Sequence, residues 1–403
     1  MKTSNLVKSE YSCCGCGACK AVCPKNAITI KANEFGFDYP VIDETKCIDC
    51  KKCLNVCIFE NNPLLNKPES CYAGVSTNTD IMKSASGGIF AGIATEFIND
   101  GGVAVGAALI FDGERLNPCH IAVDNLKDLQ KLLGSKYVQS KTDEIFPKVK
   151  SLLEEKKNVL FSGTPCQTAA LKSYLARDYD NLYTIDLICH GVPSRQMFHD
   201  FLDYISKENS KVTDFVFRDK TKGITFVSKA CFSSKGKKYN KYFQYGENAY
   251  YHNFLKGNIY RDCCYECPFA RADRVSDLTI GDFWGIEKQH PELFDSARPE
   301  FDTEKGISCL LQNTEKGKFL LENYGQGLSL FPSSFDKIAK ENQQLSSPSV
   351  PKGNREQIMN TYKNGGYEEF HRYFVNSVGK KQIIKSKIKK HIPLSVKKLI
   401  KSL

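Results

Sequence analysis

The clearest hydrophobic pattern lies in the middle of the chain, where two apolar runs are each followed by helical spacing. Residues 159–161 form an uninterrupted apolar run typical of a buried strand, and Pro165 begins the helix that follows, with Thr164 as its predicted N-cap. Residues 182–188 predict a second buried strand, which leads to a helix from Pro193 to about residue 205. A right-handed parallel crossover would bring the carboxyl ends of both strands to one edge of a sheet, where ligands gather.

Weaker patterns organise the flanking regions. Residues 27–30 and 37–42 predict a short hairpin, and residues 211–245 alternate apolar and polar side chains as exposed antiparallel strands do. Residues 340–354 are polar and contain prolines, which favours a linker, while residues 356–374 have the apolar spacing of a helix. These elements predict a small N-terminal domain and a mixed α/β domain with a partly parallel sheet.

Composition argues against a disordered or membrane-spanning chain. Of the 403 residues, 41% are hydrophobic, which is enough to bury the cores of two or three domains. The longest apolar stretches fall far short of the roughly 18 residues that a membrane-spanning helix needs. The first residues carry Lys2, Lys8 and Glu10 and no sustained apolar core, so we expect no secretory signal and a cytoplasmic location.

The net charge of +10 is concentrated at the C-terminal end. Residues 380–403 hold nine lysines and no acidic residue, so the rest of the chain is nearly neutral and offers no whole-domain surface for nucleic acid. Apolar residues at helical spacing, including Ile384 and Ile388, make this segment a basic amphipathic tail. Two interpretations stay open for it: contact with an anionic membrane surface at the inner face, or a solvated terminal helix docked on the body.

The cysteines carry the strongest chemical signal. Eighteen of them in a chain with no predicted export signal favour metal or redox chemistry over disulfides. Eight form two runs of C-x2-C-x2-C-x3-C, a spacing typical of bacterial ferredoxins with two 4Fe-4S clusters, in which the fourth thiolate of each run crosses to the other cluster. The pattern predicts one cluster on Cys13, Cys16, Cys19 and Cys57, and a second on Cys47, Cys50, Cys53 and Cys23.

A pair of zinc knuckles is the alternative, although those sites typically use paired C-x2-C units rather than tandem runs of four cysteines. Two positions depart from the common ferredoxin pattern: Lys51 stands where glycine is frequent, and Ile58 stands where a second proline is usual. Neither departure removes a ligand.

Four later cysteines come from three segments and could close a third 4Fe-4S site. Cys166 follows the first buried strand, Cys189 follows the second, and Cys264 with Cys267 forms a C-x2-C pair on a loop. A single C-x2-C is as readily a zinc pair, and a lone buried cysteine is usually an apolar core residue. Cys263 competes with Cys264 for the ligand role, but only Cys264 makes the two-residue spacing to Cys267. The remaining cysteines are assigned to the core: Cys14, Cys71, Cys119, Cys231, Cys263 and Cys309. Three arginines lie near the pair in sequence: Arg261, Arg271 and Arg274.

Five ordered motifs resemble a known family. They read SASGGIF at 84–90, GSKYVQS at 134–140, GTPCQ at 163–167, DLICHGVPS at 186–194 and DLTIGDFWG at 277–285. Over about residues 70 to 320 the chain resembles the beta subunits of coenzyme F-420 (deazaflavin) hydrogenases and dehydrogenases. With the ferredoxin pattern ahead of these motifs, it is similar to the bacterial single-chain branch, some of whose members accompany surface-polysaccharide biosynthesis genes. The plant chlorophyll-cycle reductase is a related member.

The resemblance implies FAD with an iron–sulfur cluster beside it, which strengthens the third site on Cys166, Cys189, Cys264 and Cys267. It assigns FAD binding to these residues: Ser86, Gly87, Gly88, Ser135, Lys136, Tyr137, Gly163 and Thr164. The glycines permit close backbone approach to a pyrophosphate, and Lys136 could neutralise it or bond to the flavin ring. Without the resemblance, Ser-Gly-Gly is ordinary turn chemistry. The chain has no G-x-G-x-x-G motif after a strand, which argues against a Rossmann site for NAD.

The expected function is that of an iron–sulfur flavoprotein oxidoreductase. Electrons would pass from a donor such as ferredoxin or reduced deazaflavin through the clusters to FAD and a small organic substrate, with surface-polysaccharide biosynthesis as a candidate pathway. His190 is either a proton donor to that substrate or only a hydrogen-bonded neighbour. Two rival interpretations are an electron-transfer subunit that feeds a partner enzyme, and a structural protein that binds zinc and no flavin.

The motifs divide the chain into predicted segments. These are a two-cluster 4Fe-4S ferredoxin domain at 1–63, a flavin and substrate domain at 70–150 and 151–335 with the third cluster in its second part, a linker and helix at 336–379, and the basic tail at 380–403. The predicted fold class is α+β: a bacterial-type two-cluster ferredoxin domain followed by a mixed α/β flavin-binding domain with a partly parallel sheet.

Overall fold

The secondary structure alternates between short strands and helices along the chain. The computed structural model describes residues 6, 9–61, 63–206, 210–222, 226–295 and 298–389. The strands are β1 (Ile28–Ala32), β2 (Asp38–Ile42), β3 (Ser70–Ser76), β4 (Val103–Phe111), β5 (Leu116–Val123), β6 (Val159–Gly163), β7 (Leu182–Leu187), β8 (Ser210–Val216), β9 (Val227–Ser234), β10 (Lys237–Gln244), β11 (Leu278–Asp282), β12 (Ser308–Gln312) and β13 (Leu328–Ser333).

The helices range from single turns to one long kinked helix. They are α1 (Ala18–Ala21), α2 (Lys52–Asn55), α3 (Ile89–Asn99), α4 (Leu126–Leu129), α5 (Ile145–Glu154), α6 (Pro165–Leu175), α7 (Arg195–Ile205), α8 (Ala249–Leu255), α9 (Ile286–Gln289), α10 (Glu292–Asp295), α11 (Glu315–Tyr324), α12 (Phe335–Ala339), α13 (Arg355–Val378) and α14 (Lys380–Lys389). None of the helices in the described ranges has the length and apolar character needed to cross a membrane.

Each of the two cysteine runs in the N-terminal part contains the same turn followed by a short helix, as the cysteine spacing predicts. β1 and β2 pair as the predicted antiparallel hairpin, with Ile28 opposite Ile42. Gly17 precedes α1 with φ 74, and Lys51 holds the equivalent place before α2 with φ 59. Left-handed backbone at a residue with a Cβ atom costs on the order of 1 kcal/mol, so the lysine keeps the ferredoxin turn at some expense of stability.

A mixed eight-stranded sheet forms the body, in the order β13-β3-β12-β11-β7-β6-β4-β5. β4, β6, β7 and β11 are parallel neighbours, while the outer pairs are antiparallel. α6 between β6 and β7 has Pro165 at its first position and a capping box between Thr164 and Gln167, as the sequence suggests. The partly parallel sheet is confirmed, and the carboxyl ends of β6, β7 and β11 meet at one edge.

Different layers cover the two faces of this sheet. Leu160 packs with residues of α3 and α11 on one face, while Val159 and Phe161 pack with α5 and α6 on the other. Ala18 and Val56 join the second cluster, so the ferredoxin part lies directly over α5 and α6. This packing sets the ferredoxin loops beside the start of α6, where Cys166 lies.

The region predicted as exposed antiparallel strands forms the three-stranded sheet β10-β9-β8. One face is buried, because Phe215 and Phe232 pack with α7, α8 and α13 in an aromatic core. α7 begins two residues later than predicted, since the Ser194 side chain caps it by accepting from the Met197 amide. α13 contains the predicted helix and is interrupted at Gly366, where φ is 64.

The segment predicted as a linker is packed against the body. Leu345 and Ser349 are buried, and Ser349 Oγ donates to the His190 carbonyl at 2.6 Å. Ile383 of α14 joins the aromatic core, which favours docking of this part of the tail, while Ile384 and Ile388 remain exposed. The rest of the amphipathic prediction falls on residues 390–403, which lie outside the described residues.

Candidate redox and cofactor site

The ferredoxin cysteines separate into two groups of neighbouring thiols. Burial raises the pKa of Cys13, Cys19 and Cys57, and repulsion within their group, which includes Cys16, raises each pKa further. The other group lines one depression at the surface: Cys23, Cys47, Cys50 and Cys53. The structure therefore brings together the crossed sets that the spacing predicts. Backbone amides, including those of Gly15 and Ala18, donate to the sulfur atoms and favour the thiolate form that a cluster requires.

The body cysteines form a third group at the edge where the parallel strands end. Cys166 follows β6 and Cys189 follows β7, while Cys264 and Cys267 lie on and just after a 3-10 turn, and all four line one narrow cavity. Burial raises the pKa of Cys189, and repulsion from the other three thiols raises it further. Amides such as those of Gln167 and Val192 donate to sulfur atoms of this group. The donor set therefore fits an anionic iron–sulfur cluster.

Two of the cysteines assigned to the core, Cys14 and Cys263, lie next to predicted cluster ligands. Hydrogen bonding from the Cys14 thiol lowers the pKa of Cys166 to about 7 and also lowers the pKa of Cys16. Hydrogen bonding from Cys263 lowers the pKa of Cys264, so Cys264 is the better thiolate of that pair. Because Cys14 reaches both Cys16 and Cys166, the first ferredoxin group and the body group are neighbours.

A large cavity of about 620 Å³ opens beside the body cysteines, within the size range of cofactor sites. Its walls include most of the residues predicted for FAD: Ser86, Gly88, Ser135, Lys136, Tyr137, Gly163 and Thr164. Thr164 and residues 189–192 line both this cavity and the cysteine cavity. The two sites therefore share a wall.

Gly87 is the predicted FAD residue that the cavity wall does not include. A Cβ atom at this position would lie 2.3 Å from the Gly74 carbonyl oxygen and 2.7 Å from the Ser308 nitrogen, so glycine is needed for contact with β3 and β12. Gly88 and the first turn of α3 do face the cavity. Ser84 Oγ nearby is buried with no hydrogen-bond partner among the described residues, which leaves a polar atom for a ligand.

Buried cations surround the predicted FAD loops. Lys136 Nζ donates to the Leu133 carbonyl at 2.6 Å, and burial lowers its pKa to about 7. Lys220, which sequence reasoning missed, donates to the carbonyls of Ile81 and Ser86 at 2.8 and 2.5 Å, and burial lowers its pKa to about 8. Nothing in its local sequence marks Lys220, because it belongs to a lysine-rich stretch of the strand insertion.

Arg218 and His120 are further residues that the sequence did not indicate. Arg218 donates a hydrogen bond to the carboxylate of Asp282 at 2.6 Å, so the acidic side chain of the Gly-Asp-Phe-Trp-Gly motif is paired with this arginine. His120 is buried between Ser140 Oγ at 3.0 Å and the Ser162 carbonyl at 3.1 Å, and burial lowers its pKa to about 4. Because a carbonyl can only accept, His120 is a neutral ring protonated at Nε2 that braces the cavity wall.

His190 lies on the wall shared by both cavities. Burial lowers the pKa of its imidazole, although attraction by Asp282 opposes that shift. Its position suits a proton donor to a cavity ligand, and its backbone carbonyl is held by Ser349.

Comparison with known proteins gives two matched regions. Residues 156–330 match the family described as the C-terminal region of the coenzyme F420 hydrogenase/dehydrogenase beta subunit. These residues make up less than half of the chain, and over them the chain is similar to that family. Residues 12–61 match a 4Fe-4S dicluster domain, which confirms the predicted two-cluster ferredoxin. The beta-subunit region thus contains Cys166, Cys189 and the C-x2-C pair, and the chain is an iron–sulfur electron-transfer protein related to F420-linked oxidoreductases.

Two curated proteins and one solved structure are similar to part of the chain. The F subunit of F(420)H(2) dehydrogenase from Methanosarcina mazei is 29% identical over 243 residues, which cover 56% of this chain and 66% of that protein. An uncharacterized protein of Methanocaldococcus jannaschii is 25% identical over 219 residues, which cover 45% of this chain and 59% of that protein. The chain thus spans less than two thirds of either curated relative. A solved chain of the F420-reducing NiFe hydrogenase complex of Methanosarcina barkeri aligns with TM-score 0.44 and 16% identity, covering 75% of this chain and 94% of that one.

Proposed function

We propose that this chain is an iron–sulfur flavoprotein oxidoreductase that carries electrons from a low-potential donor to a small organic substrate. The ferredoxin clusters would receive the electrons, and a third 4Fe-4S cluster on Cys166, Cys189, Cys264 and Cys267 would lie between them and FAD in the large cavity. The shared wall at residues 189–192 supports this proposal, because the cavity lined by the four cysteines adjoins a cavity of cofactor size there. Bound FAD would supply the conversion between single-electron and two-electron transfer.

The cavity residues suit an anionic dinucleotide. The N-terminal turn of α3, which follows Gly88, presents backbone amides and the positive end of the helix dipole to the cavity. Lys136 can neutralise a phosphate, and Lys220 fixes the loop that carries Ser86. His190 would hold a proton beside the substrate.

A second candidate is an electron-transfer subunit that feeds a partner enzyme and has no substrate of its own. The Methanosarcina mazei relative, named as one component of a dehydrogenase, favours this candidate. Flavin reduction without turnover of any small molecule would distinguish it from the first. The proposal also includes reduced deazaflavin as the electron donor and a role in surface-polysaccharide biosynthesis. It further includes contact of the tail with a membrane, which the exposed side chains of Ile384 and Ile388 support.

Anaerobic purification followed by iron, sulfide, zinc and flavin analysis on one sample tests the proposal. About twelve irons and one FAD per chain would support three 4Fe-4S clusters beside a flavin. About eight irons without flavin would leave only the ferredoxin clusters and contradict the assignment of the body. Zinc in place of iron in the body cysteines would favour a structural metal site.

Lys136 should make FAD affinity depend on pH. Because burial lowers its pKa to about 7, the ammonium is present below that pH and is lost above it. An anionic ligand favours the charged form, so binding should take up a proton and weaken by up to about tenfold per pH unit between pH 7 and 9. FAD titrations of the flavin-depleted protein across this range measure the slope.

The Lys136→Met variant should bind FAD more weakly at pH 6 and have a shallower pH slope. A residual slope near pH 8 is expected from Lys220, which titrates in the same range. Lys256→Met removes an exposed lysine of the same cavity and should keep the full slope. Equal slopes in the wild-type protein and in Lys136→Met would contradict contact between Lys136 and the ligand charge.

A further inference from the structure

Arg261 is a completely buried cation at the junction of the ferredoxin part and the body. Its Nε donates to the Cys13 carbonyl at 3.0 Å, and its Nη2 donates to the carbonyl of Asp38 at the start of β2. Its own backbone amide donates to Val192, which lies on the wall shared by the two cavities. The guanidinium is therefore fixed between the first ferredoxin loop and the body cysteines.

No carboxylate in the described part of the chain balances this charge. Among the described residues none forms an ion pair with Arg261, and its Nη1 is buried without a hydrogen-bond partner. The rings of Tyr39 and Phe37 lie 4.3 and 5.5 Å from its Cζ atom, but contacts with aromatic rings offset only part of the unfavourable burial of a charge. A buried guanidinium with a free donor therefore requires an anion that the protein side chains do not supply.

The ionisable groups that interact with the Arg261 charge are the thiols of Cys13, Cys14 and Cys263 and the Tyr39 hydroxyl, and the guanidinium is bound to the Cys13 carbonyl at 3.0 Å. Its charge lowers the pKa of Cys13 and Cys16 in the first ferredoxin group and the pKa of Cys264 in the body group, against the opposing effect of burial. A 4Fe-4S cluster on four thiolates carries net negative charge, which becomes larger on reduction. The clusters are thus the anions that this cation lacks.

We propose that Arg261 is the shared counter-ion of the first ferredoxin cluster and the third cluster, and that it raises the reduction potentials of both. The part of this inference that concerns the third cluster rests on the proposed function, and the part that concerns the first ferredoxin cluster does not. A cation in a low-dielectric interior stabilises the reduced, more negative form of a nearby cluster. In the described part of the chain, the cations that line the depression of the second cluster are the exposed lysines Lys25, Lys51 and Lys52, whose charge water and salt screen. Electrons that enter at the second cluster, where Cys50 is exposed, are therefore drawn inward.

A redox titration of the anaerobic holoprotein, followed by electron paramagnetic resonance, tests this role. In Arg261→Gln the first and third clusters should both become harder to reduce, with at least a tenfold lower ratio of reduced to oxidised cluster at a fixed potential, or about 59 mV. The second cluster should not shift, and Arg261→Lys should keep most of the wild-type potentials because it keeps the charge. Arg195→Gln is the matched control, since Arg195 lies at the same interface but is already paired with Asp38 at 2.7 Å.

A second variant keeps the test decisive if Arg261→Gln fails to assemble its clusters. Gln139 Nε2 and Arg261 Nη2 lie 2.6 and 2.7 Å from the point where a Cβ atom on Gly15 would stand, so the two side chains are neighbours. Gln139→Glu places a carboxylate beside the guanidinium and should lower the same two potentials. Unchanged potentials in Gln139→Glu and in a cluster-loaded Arg261→Gln would overturn the inference. A wild-type protein with only two clusters would instead overturn the proposed third cluster, and the shift of the first cluster would still decide the role of Arg261.

Discussion

Replacing Cys166 by serine is expected to remove about four of about twelve irons per chain and to leave the ferredoxin clusters in place. The pKa of the Cys166 thiol is lowered to about 7, so about half of it is thiolate near neutral pH, whereas a serine hydroxyl stays protonated and is a poor ligand for iron. Without the third cluster, reduction of FAD through the ferredoxin clusters should slow by more than about a hundredfold, because loss of even an outer partner of a metal site reaches that scale. Iron analysis and stopped-flow flavin reduction measure the two effects.

Cys263→Ser is the matched control for this experiment. Cys263 is buried in the same narrow cavity and lies next to a predicted ligand, but its role is to donate a hydrogen bond to the Cys264 sulfur. The variant should keep all the irons and most of the rate. A full iron content in Cys166→Ser, or an equal loss of iron in Cys263→Ser, would be incompatible with the assigned ligand set.

The sequence was sufficient where local spacing determines structure. Two runs of four cysteines predict a two-cluster ferredoxin because the fold brings each fourth ligand to the other cluster, and the family match confirms that domain. The apolar runs at 159–161 and 182–188 predict β6 and β7, and their parallel pairing follows from the handedness of the crossover. The proximity of Cys166 and Cys189 is a consequence of that pairing.

The sequence was insufficient where function depends on which distant side chains share a buried space. Three arginines close together in the chain have three different environments. Arg261 faces the inner cysteines, Arg274 is buried against Asp186 at the end of β7, and Arg271 is an exposed residue that contacts Asp273 at 3.3 Å. The Arg271 partner is two residues away in the same loop, but the partners of Arg261 and Arg274 come from distant strands and loops, so the spacing of the arginines contains no information on them.

The same reason explains the residues of the cavity that sequence reasoning missed. Lys220 reaches the loop of Ser86 across more than a hundred residues of sequence, and the lysine-rich insertion gives it no distinguishing mark. Gly87 belongs to a motif that suggests close approach to a phosphate, yet the backbone it approaches is that of Gly74 and Ser308. A motif can predict that a position requires a small residue, but only the packed structure shows which neighbouring atoms leave no room for a larger one.

Replacing Arg274 by methionine is expected to lower the free energy of unfolding by about 3 to 5 kcal/mol. Arg274 and Asp186 are almost completely buried, with Nη2 and Oδ1 3.0 Å apart, and Asp186 Oδ2 has no hydrogen-bond partner among the described residues. The substitution would leave a buried carboxylate supported mainly by Thr279, whose hydroxyl donates to it at 2.7 Å. The apparent Tm of the anaerobic, cluster-loaded protein should fall by at least several degrees.

This pair also links two parts of the proposed third site, because Asp186 lies three residues before Cys189 and Arg274 binds the carbonyl of Phe269, just after Cys267. Iron loss at elevated temperature should therefore begin in the body cysteines before it reaches the ferredoxin clusters. Arg271→Met, an exposed change in the same loop, should alter stability by no more than about 0.5 kcal/mol. The double variant with Asp186→Leu should recover much of the loss, since removing both charges leaves none unpaired. A double variant no more stable than Arg274→Met would show that packing of the arginine, rather than its charge, stabilises this part of the protein.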